Sequence, residues 1–114
     1  MLVEMRTYTV APGATARYLK AYAEKGLAVQ TRILGCLVGY YTVEIGPLNR
    51  VVHLWGYDSL NERARRRAIL WKDPEWRSYV KEIAGLVQTQ ETCILSPAPF
   101  LEVSPARVVA APAT

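Results

Sequence analysis

Four stretches of the chain have the character of β-strands: they are short, rich in apolar and β-branched residues, and bounded by turn residues. The first covers Leu2–Val10, where apolar and polar residues alternate. The second and third cover residues 36–45 and Arg50–Tyr57, and the fourth is Val87–Leu95. The turn residues 46–49 leave so short a connection that the second and third strands should pair antiparallel.

Two other stretches predict helices. Apolar residues recur every three or four positions through residues 14–34, as on one face of an amphipathic helix, and Gly35 follows where a left-handed cap belongs. Ser59 and Glu62 have the spacing of a capping box, which predicts that a second helix begins here. Asp73-Pro74 restarts that helix, with Asp as the N-cap and Pro at the first helical position.

The resulting order, β-α-β-β-α-β, is the ferredoxin-like pattern. It predicts an α+β domain with an antiparallel four-stranded sheet and both helices on one face. Residues 37–43 and 51–55 are apolar on both faces of their strands, and such strands are normally buried on both sides. Because the helices cover one face only, we expect a second subunit on the other, in a homodimer with the form of a dimeric α+β barrel.

The chain of 114 residues is the length of one domain. We expect that domain to occupy residues 1–101. Residues 102–114 are too rich in Pro for a helix and too apolar for a solvated linker, so we expect a C-terminal arm there.

The net charge of +4 raises the question of nucleic acid. The cationic residues are scattered apart from a cluster at 63–67, whose Glu62–Arg66 spacing is typical of a solvated helix face. We therefore expect no nucleic-acid partner. No secretory signal is evident, and the longest uncharged stretch, residues 33–43, is too short to cross a membrane. We expect a cytoplasmic protein without a membrane partner.

The two cysteines, Cys36 and Cys93, lie in strand-like apolar runs and are expected to be buried free thiols. The single histidine and these cysteines do not have the spacing of a metal site, and no Gly-rich phosphate loop precedes a helix. We therefore expect neither a metal nor another cofactor.

Six short motifs in this order resemble the NIPSNAP family. They extend over residues 1–100 and are Glu4-Met5-Arg6-Thr7-Tyr8-Thr9 with Pro12-Gly13, Gly46-Pro47-Leu48-Asn49, His53-Leu54-Trp55-Gly56-Tyr57, Arg65-Arg66-Arg67, Asp73-Pro74-Glu75-Trp76 and Pro97-Ala98-Pro99-Phe100. The resemblance implies a dimeric ferredoxin-like barrel. It also implies kinship with a superfamily that includes cofactor-independent monooxygenases, isomerases and cyclases. Organelle roles have been proposed for animal members, but we expect neither their transit peptide nor their second domain here.

His53, the only histidine, is the side chain whose ordinary pKa suits proton transfer near neutrality. Arg6 and Tyr8 share a strand face with Glu4, because alternate residues of a strand point the same way. We predict that His53 is a catalytic base and that Arg6 and Tyr8 polarise a substrate oxygen. The alternatives are a structural His53 and a purely structural ion pair between Arg6 and Glu4.

Core packing is the more common role of a single aromatic residue, but four of them could together bind substrate in a cleft between the sheet and the helices: Tyr40, Trp55, Trp76 and Tyr79. A chain of one small domain has little surface for a dedicated scaffold, which favours a small-molecule enzyme or binder. The second hypothesis is a non-catalytic module that binds another protein through its dimer surface and its arm. A cavity containing polar groups would favour the first hypothesis, and a filled core around His53 would favour the second.

Overall fold

The computed structural model describes residues 1–106, which form one antiparallel sheet with helices packed on one face. The strands lie in the order β2-β3-β1-β4, and every neighbouring pair is antiparallel. Their bounds are Leu2–Val10 for β1, Cys36–Thr42 for β2, Arg50–Tyr57 for β3 and Val87–Leu95 for β4. This is the predicted ferredoxin-like α+β fold.

Strand β2 ends at Thr42, three residues earlier than its apolar pattern predicts. The connection to β3 contains two residues in the left-handed region, Gly46 at φ 130° and Asn49 at φ 60°. Val43 N–H donates to the Arg50 carbonyl at 3.2 Å and closes the loop. Apolar side chains in this loop therefore do not extend the strand, and Ile45 is exposed.

The first predicted helix is continuous but contains a wider turn. It consists of α1 (Thr15–Ala21), a π-helical turn (Tyr22–Gly26) and α2 (Leu27–Leu34). A Cβ on Gly26 would lie 2.7 Å from the Tyr22 ring and 3.1 Å from the Tyr79 ring. A glycine at this position thus lets both rings approach the helix backbone.

The predicted caps of the other two helices are confirmed. Helix α3 (Leu60–Lys72) begins where Ser59 Oγ accepts a hydrogen bond from the Glu62 N–H at 3.1 Å. Helix α4 (Pro74–Ile83) begins where Asp73 Oδ1 accepts one from the Trp76 N–H at 3.0 Å. These caps satisfy backbone donors that the first helical turn leaves without partners.

The core lies between the helices and the face of the sheet that alternate residues of β1 and β3 form. Val10, Val51 and Trp55 are fully buried on that face. They pack in one cluster with side chains of the helices, among them Tyr18, Val29, Leu34, Leu70 and Tyr79. Alternation along β3 also brings His53 to this face, beside Val51 and Trp55.

The opposite face of the sheet has no helix over it within residues 1–106. Met5, Val52 and Leu54 are partly buried on this open face, and Tyr41 is 60% exposed. The segment after β4 reaches the same face, where Val103 lies over Gly56. A second subunit on the open face stays a prediction.

The arm predicted for residues 102–114 is described only in its first part. Residues 102–106 have no regular structure, and the N–H of Ala106 donates to the carbonyl of Leu37. Residues 107–114 lie outside the described residues. The division between a domain of residues 1–101 and an arm stays a prediction.

The expectation of buried cysteines is wrong for one of the two and only partly right for the other. Cys93 is exposed and Cys36 is partly buried, and both are free thiols. Cys93 belongs to the edge strand β4, on the face of the sheet that has no helix over it. Among residues 1–106, no helix has both the length and the apolar composition needed to cross a membrane.

Candidate functional site

The register of the sheet places four side chains in a row across its helix-facing side. Tyr40 of β2 is opposite His53 of β3, which is opposite Arg6 of β1, which is opposite Thr92 of β4. Such cross-strand neighbours are within contact distance of one another. The residues predicted to do chemistry on β1 and β3 therefore lie side by side beneath the helices.

A cavity of about 90 Å³ lies between this row and the helices. Its wall includes Arg6, Tyr8, His53 and Gln90 from the sheet, Tyr18, Tyr22 and Gln30 from the first helical segment, Arg67 and Trp71 from α3, and Trp76, Tyr79, Val80 and Ile83 from α4. Among residues 1–106, this wall has cationic and aromatic members and no acidic one. Two of its members, Trp71 and Gln90, are exposed and mark its opening to solvent.

His53 is held as a neutral imidazole. Its side chain is 1% exposed, and its Nδ1 accepts a hydrogen bond from the indole N–H of Trp55 at 2.7 Å. Because Nδ1 accepts, the proton of the neutral ring is on Nε2. Burial, with the positive charge of Arg6, lowers the pKa of His53 to about 3. Nε2 has no hydrogen-bond partner within residues 1–106.

Two tyrosine rings fix the plane of this imidazole. The Tyr40 ring stacks on it with centroids 4.8 Å apart and an interplanar angle of 18°, and Tyr8 meets it edge-on at 4.8 Å. The Tyr40 hydroxyl is in turn 3.0 Å from that of Tyr18. The orientation of His53 is therefore set by neighbours on three elements of the fold.

A buried carboxylate organises the charges beside His53. Glu4 Oε2 accepts hydrogen bonds from Arg63 at 2.6 Å, Thr92 at 2.7 Å and Arg6 at 3.1 Å. Burial alone would raise the pKa of Glu4, but the bonds from Arg63 and Thr92 and the nearby positive charges lower it to about 2. Arg6 also donates from Nε to the Tyr8 hydroxyl at 3.0 Å. The predicted Arg6–Glu4 ion pair is thus part of a larger network.

The arginine cluster of α3 divides between two faces of the helix. Arg65 and Arg66 both pair with Glu62 at 2.7 Å. Arg65 is exposed, as the solvated-face interpretation predicts, whereas Arg66 also donates to the Ile33 carbonyl at 2.9 Å. That interpretation is wrong for the other two, because Arg63 reaches Glu4 and Arg67 reaches the cavity. Burial and the proximity of Arg6 lower the pKa of Arg67. No acidic side chain of residues 1–106 pairs with it.

Five of the seven predicted site residues belong to the cavity wall: Arg6, Tyr8, His53, Trp76 and Tyr79. The other two, Tyr40 and Trp55, lie directly behind His53 and hold it by stacking and by the indole hydrogen bond. The catalytic and substrate-binding roles of all seven stay predictions.

The prediction missed Arg67, together with Tyr18, Tyr22 and Gln30. Arg63, Arg67 and Leu70 share one helical stripe by their spacing, and Leu70 is buried. That stripe was the available signal for Arg67. Within residues 1–106, no group of three or more His, Cys, Asp or Glu side chains is placed to hold a metal ion.

The fold and its cavity define a ferredoxin-like α+β domain with a small polar site between sheet and helices. The family model of NIPSNAP matches residues 3–102. The chain belongs to the NIPSNAP family, as its motifs predicted. The NipSnap homologue of Dictyostelium discoideum is 33% identical over 94 residues, 82% of this chain and 41% of that protein. The human NipSnap homologue 3A is 34% identical over 91 residues, 78% of this chain and 36% of that protein.

The chain therefore spans about two fifths of the length of these curated relatives. Solved structures match it more completely. A NIPSNAP-family protein of unknown function from Agrobacterium tumefaciens is 44% identical, with a TM-score of 0.88 over 90% of this chain and 93% of that one. An uncharacterised NIPSNAP-like domain protein from Burkholderia xenovorans is 42% identical, with a TM-score of 0.88 over 94% of each chain.

More distant structures share the fold. An antibiotic biosynthesis monooxygenase is 19% identical, with a TM-score of 0.58 over 87% of this chain and 100% of that one. At this identity the likeness shows the fold alone.

Proposed function

We propose that the chain is a cofactor-independent small-molecule enzyme or binder, of the oxygenase, isomerase or cyclase type, that uses the cavity between sheet and helices. One observation favours this function above the others. Two buried N–H donors of the cavity wall have no partner within residues 1–106: His53 Nε2 and Trp76 Nε1. Buried donors without partners are rare in folded proteins, and two in one wall suit a ligand with acceptor oxygens.

The donors would act on the substrate by polarising an oxygen. In its neutral form His53 donates from Nε2, and Arg6 and Tyr8 add positive charge and a hydroxyl beside it. Donors fixed in a site that excludes water stabilise negative charge as it develops on a carbonyl or enolate oxygen. We therefore propose that His53 acts as a donor rather than as the base, since the Trp55 bond occupies Nδ1.

The non-catalytic alternative receives less support. A filled core around His53 would have favoured it, whereas a cavity with polar groups lies against this residue. We further propose a cytoplasmic homodimer in which the open sheet face, with Met5, Val52 and Leu54, is the contact surface. That contact would leave the cavity on the opposite side of the sheet free for ligand.

The test is to identify what the purified chain retains. Native mass spectrometry and a crystal structure of protein prepared without exogenous ligand should reveal a small molecule in the cavity. Two variants then separate the roles of His53. His53→Gln keeps a donor near Nε2 and should retain that ligand, whereas His53→Phe should lose it.

If His53 were a general base, turnover by His53→Gln would fall by about 10²-fold or more even though binding persisted. A cavity that stays empty in all preparations and binds no small molecule would contradict the proposed function.

A further inference from the structure

The cavity has an excess of positive charge. Arg6 and Arg67 are in its wall, and no Asp or Glu of the described residues 1–106 is. Close by, Glu4 is the one carboxylate shared by Arg6 and Arg63. Three guanidinium groups beside one carboxylate leave two positive charges uncompensated at this site.

The two arginines of the cavity wall differ in the number of their hydrogen-bond partners. Arg6 donates to Glu4 at 3.1 Å and to the Tyr8 hydroxyl at 3.0 Å. Arg67 is partly buried and has no hydrogen bond or ion pair with any side chain in residues 1–106. The carboxylate whose charge acts on Arg67 is that of Glu4, which is already bonded to Arg6 and Arg63. A buried cation without a counter-charge of its own is unfavourable for folding, and a bound anion would supply one.

The surroundings of Arg67 suit a carboxylate. A guanidinium group binds a planar carboxylate through two parallel N–H bonds, and one free guanidinium balances one negative charge. Trp76 Nε1 and His53 Nε2 are further donors of the same wall without partners in the described chain. Val80 and Ile83 add an apolar surface for a short hydrocarbon portion.

The volume of the cavity limits what else the ligand contains. At about 90 Å³ it is far smaller than the roughly 300–1,000 Å³ typical of sites for drug-sized ligands. It therefore accommodates a short acid, or the acidic end of a longer one that leaves between Trp71 and Gln90, the exposed wall residues.

We propose that Arg67 is the anion-binding residue of this cavity and that the group it holds is a carboxylate of a small organic acid. The proposal rests on the proposed function, because it names the class of ligand for the same cavity. It adds Arg67, which the sequence motifs did not single out, to the residues that contact ligand.

The experiment compares an acid with its neutral analogue. Dissociation constants of butyrate and butyramide are measured by NMR titration of the isotope-labelled full chain at fixed ionic strength, with octanoate as the longer acid and inorganic phosphate as a competing anion. We expect butyrate to bind at least about tenfold more tightly than butyramide, as for a charge-assisted contact. Arg67→Met should remove that advantage, so that the acid and the amide bind with similar affinity.

Arg65→Met is the matched control, because Arg65 is on the same helix but is exposed and paired with Glu62. It should alter neither affinity. Without ligand, Arg67→Met should also raise the melting temperature, whereas a structural arginine would lower it on removal. Arg67→Gln provides a second variant if the first fails to fold.

Three results would overturn the proposal while sparing the proposed function: equal binding of butyramide and butyrate, an unchanged butyrate affinity in Arg67→Met, or tighter binding of phosphate than of butyrate. If octanoate binds with the same affinity as butyrate, the result would indicate that the natural ligand is a longer molecule whose acidic end occupies the cavity. If neither the acids nor the amide shifts the resonances of cavity residues, the proposed function fails as well.

Discussion

The indole N–H of Trp55 donates to Nδ1 of His53 over 2.7 Å, and this bond decides where the imidazole holds its proton. The two residues are on the same face of β3, two positions apart. The bond leaves Nε2 as the protonated nitrogen of a ring whose pKa is lowered to about 3. The only histidine of the chain is therefore a fixed neutral donor in the resting protein.

Protein stability should depend on pH through His53. Its pKa is about 3 in the folded state against 6.5 for the free side chain, so between these values the unfolded chain binds a proton that the folded one does not. The free energy of unfolding should then fall as the pH falls through that window, by up to about 1.4 kcal/mol per pH unit. Urea unfolding at a series of pH values measures this slope.

The control for that slope is His53→Gln, which cannot titrate. The free energy of unfolding of this variant should change less with pH between pH 6.5 and about 4.5, where the carboxylates begin to be protonated. If the free energy of unfolding depended equally steeply on pH in the wild type and in the variant, a group other than His53 would be responsible for the slope.

Breaking the Glu4 network should destabilise the fold strongly. Glu4→Gln leaves Arg6 and Arg63 without their shared counter-charge, at side chains only 11% and 26% exposed. Removing one partner from such a buried pair costs about 3 kcal/mol. Because the pKa of Glu4 is lowered from 4.5 to about 2, the wild type should lose this contribution as the pH falls through that interval.

Chemical denaturation at neutral pH measures the effect of Glu4→Gln. Glu62→Gln is the matched control, since Glu62 forms its ion pairs on the outer face of α3, and it should cause a much smaller loss. Equal losses in the two variants would contradict the assignment of a buried network.

Ser59→Ala should lower the free energy of unfolding by about 1 kcal/mol. The change removes the oxygen that accepts the Glu62 N–H at 3.1 Å, and it touches nothing in the cavity. Ligand binding should be unaffected. Asn61→Ala, an exposed change within the same turn, is the control for helix propensity and should not destabilise.

The chain should be a dimer at micromolar concentration, and Val52→Glu should disrupt it. Val52 is on the open face of the sheet, where a charge buried in an apolar contact costs several kcal/mol. Analytical ultracentrifugation should show soluble monomer or aggregate for the variant. Glu91 of the edge strand β4 also points to this face. Glu91→Gln is therefore the comparison variant, because it changes the charge of the same face without placing a new charge there. A folded wild-type monomer at these concentrations would contradict the barrel arrangement.

Local rules were enough to predict most of the fold. The bounds of β1, β3 and β4 agree with their apolar patterns, and the caps at Ser59 and Asp73 have the predicted hydrogen bonds. The alternation rule that puts Arg6 and Tyr8 on one face of β1 holds for β3 as well, where His53 lies beside Val51 and Trp55 and opposite Leu54. These features depend on neighbours in sequence, which is why a single chain reveals them.

Features that depend on long-range packing were not predicted. The π-helical turn at Tyr22–Gly26 arises where two tyrosine rings pack over Gly26. The spacing of Arg63 and Arg67 shows that they share a face, but only the position of α3 over the sheet shows that Glu4 and the cavity lie beneath it. The Trp55 bond to His53 likewise follows from rotamers that a strand pattern does not determine.

Whether His53 is a neutral donor that contacts a bound acid is measured most directly by ¹⁵N NMR of its imidazole, recorded across pH and with added butyrate. The signals are unambiguous because the chain has one histidine. We expect an unprotonated Nδ1, a protonated Nε2 with no titration near pH 6.5, and a shift of the Nε2 proton when butyrate binds. An imidazole that titrates near pH 6.5, or an Nε2 resonance that does not shift at saturating butyrate, would contradict the role of His53 as a neutral donor to the ligand.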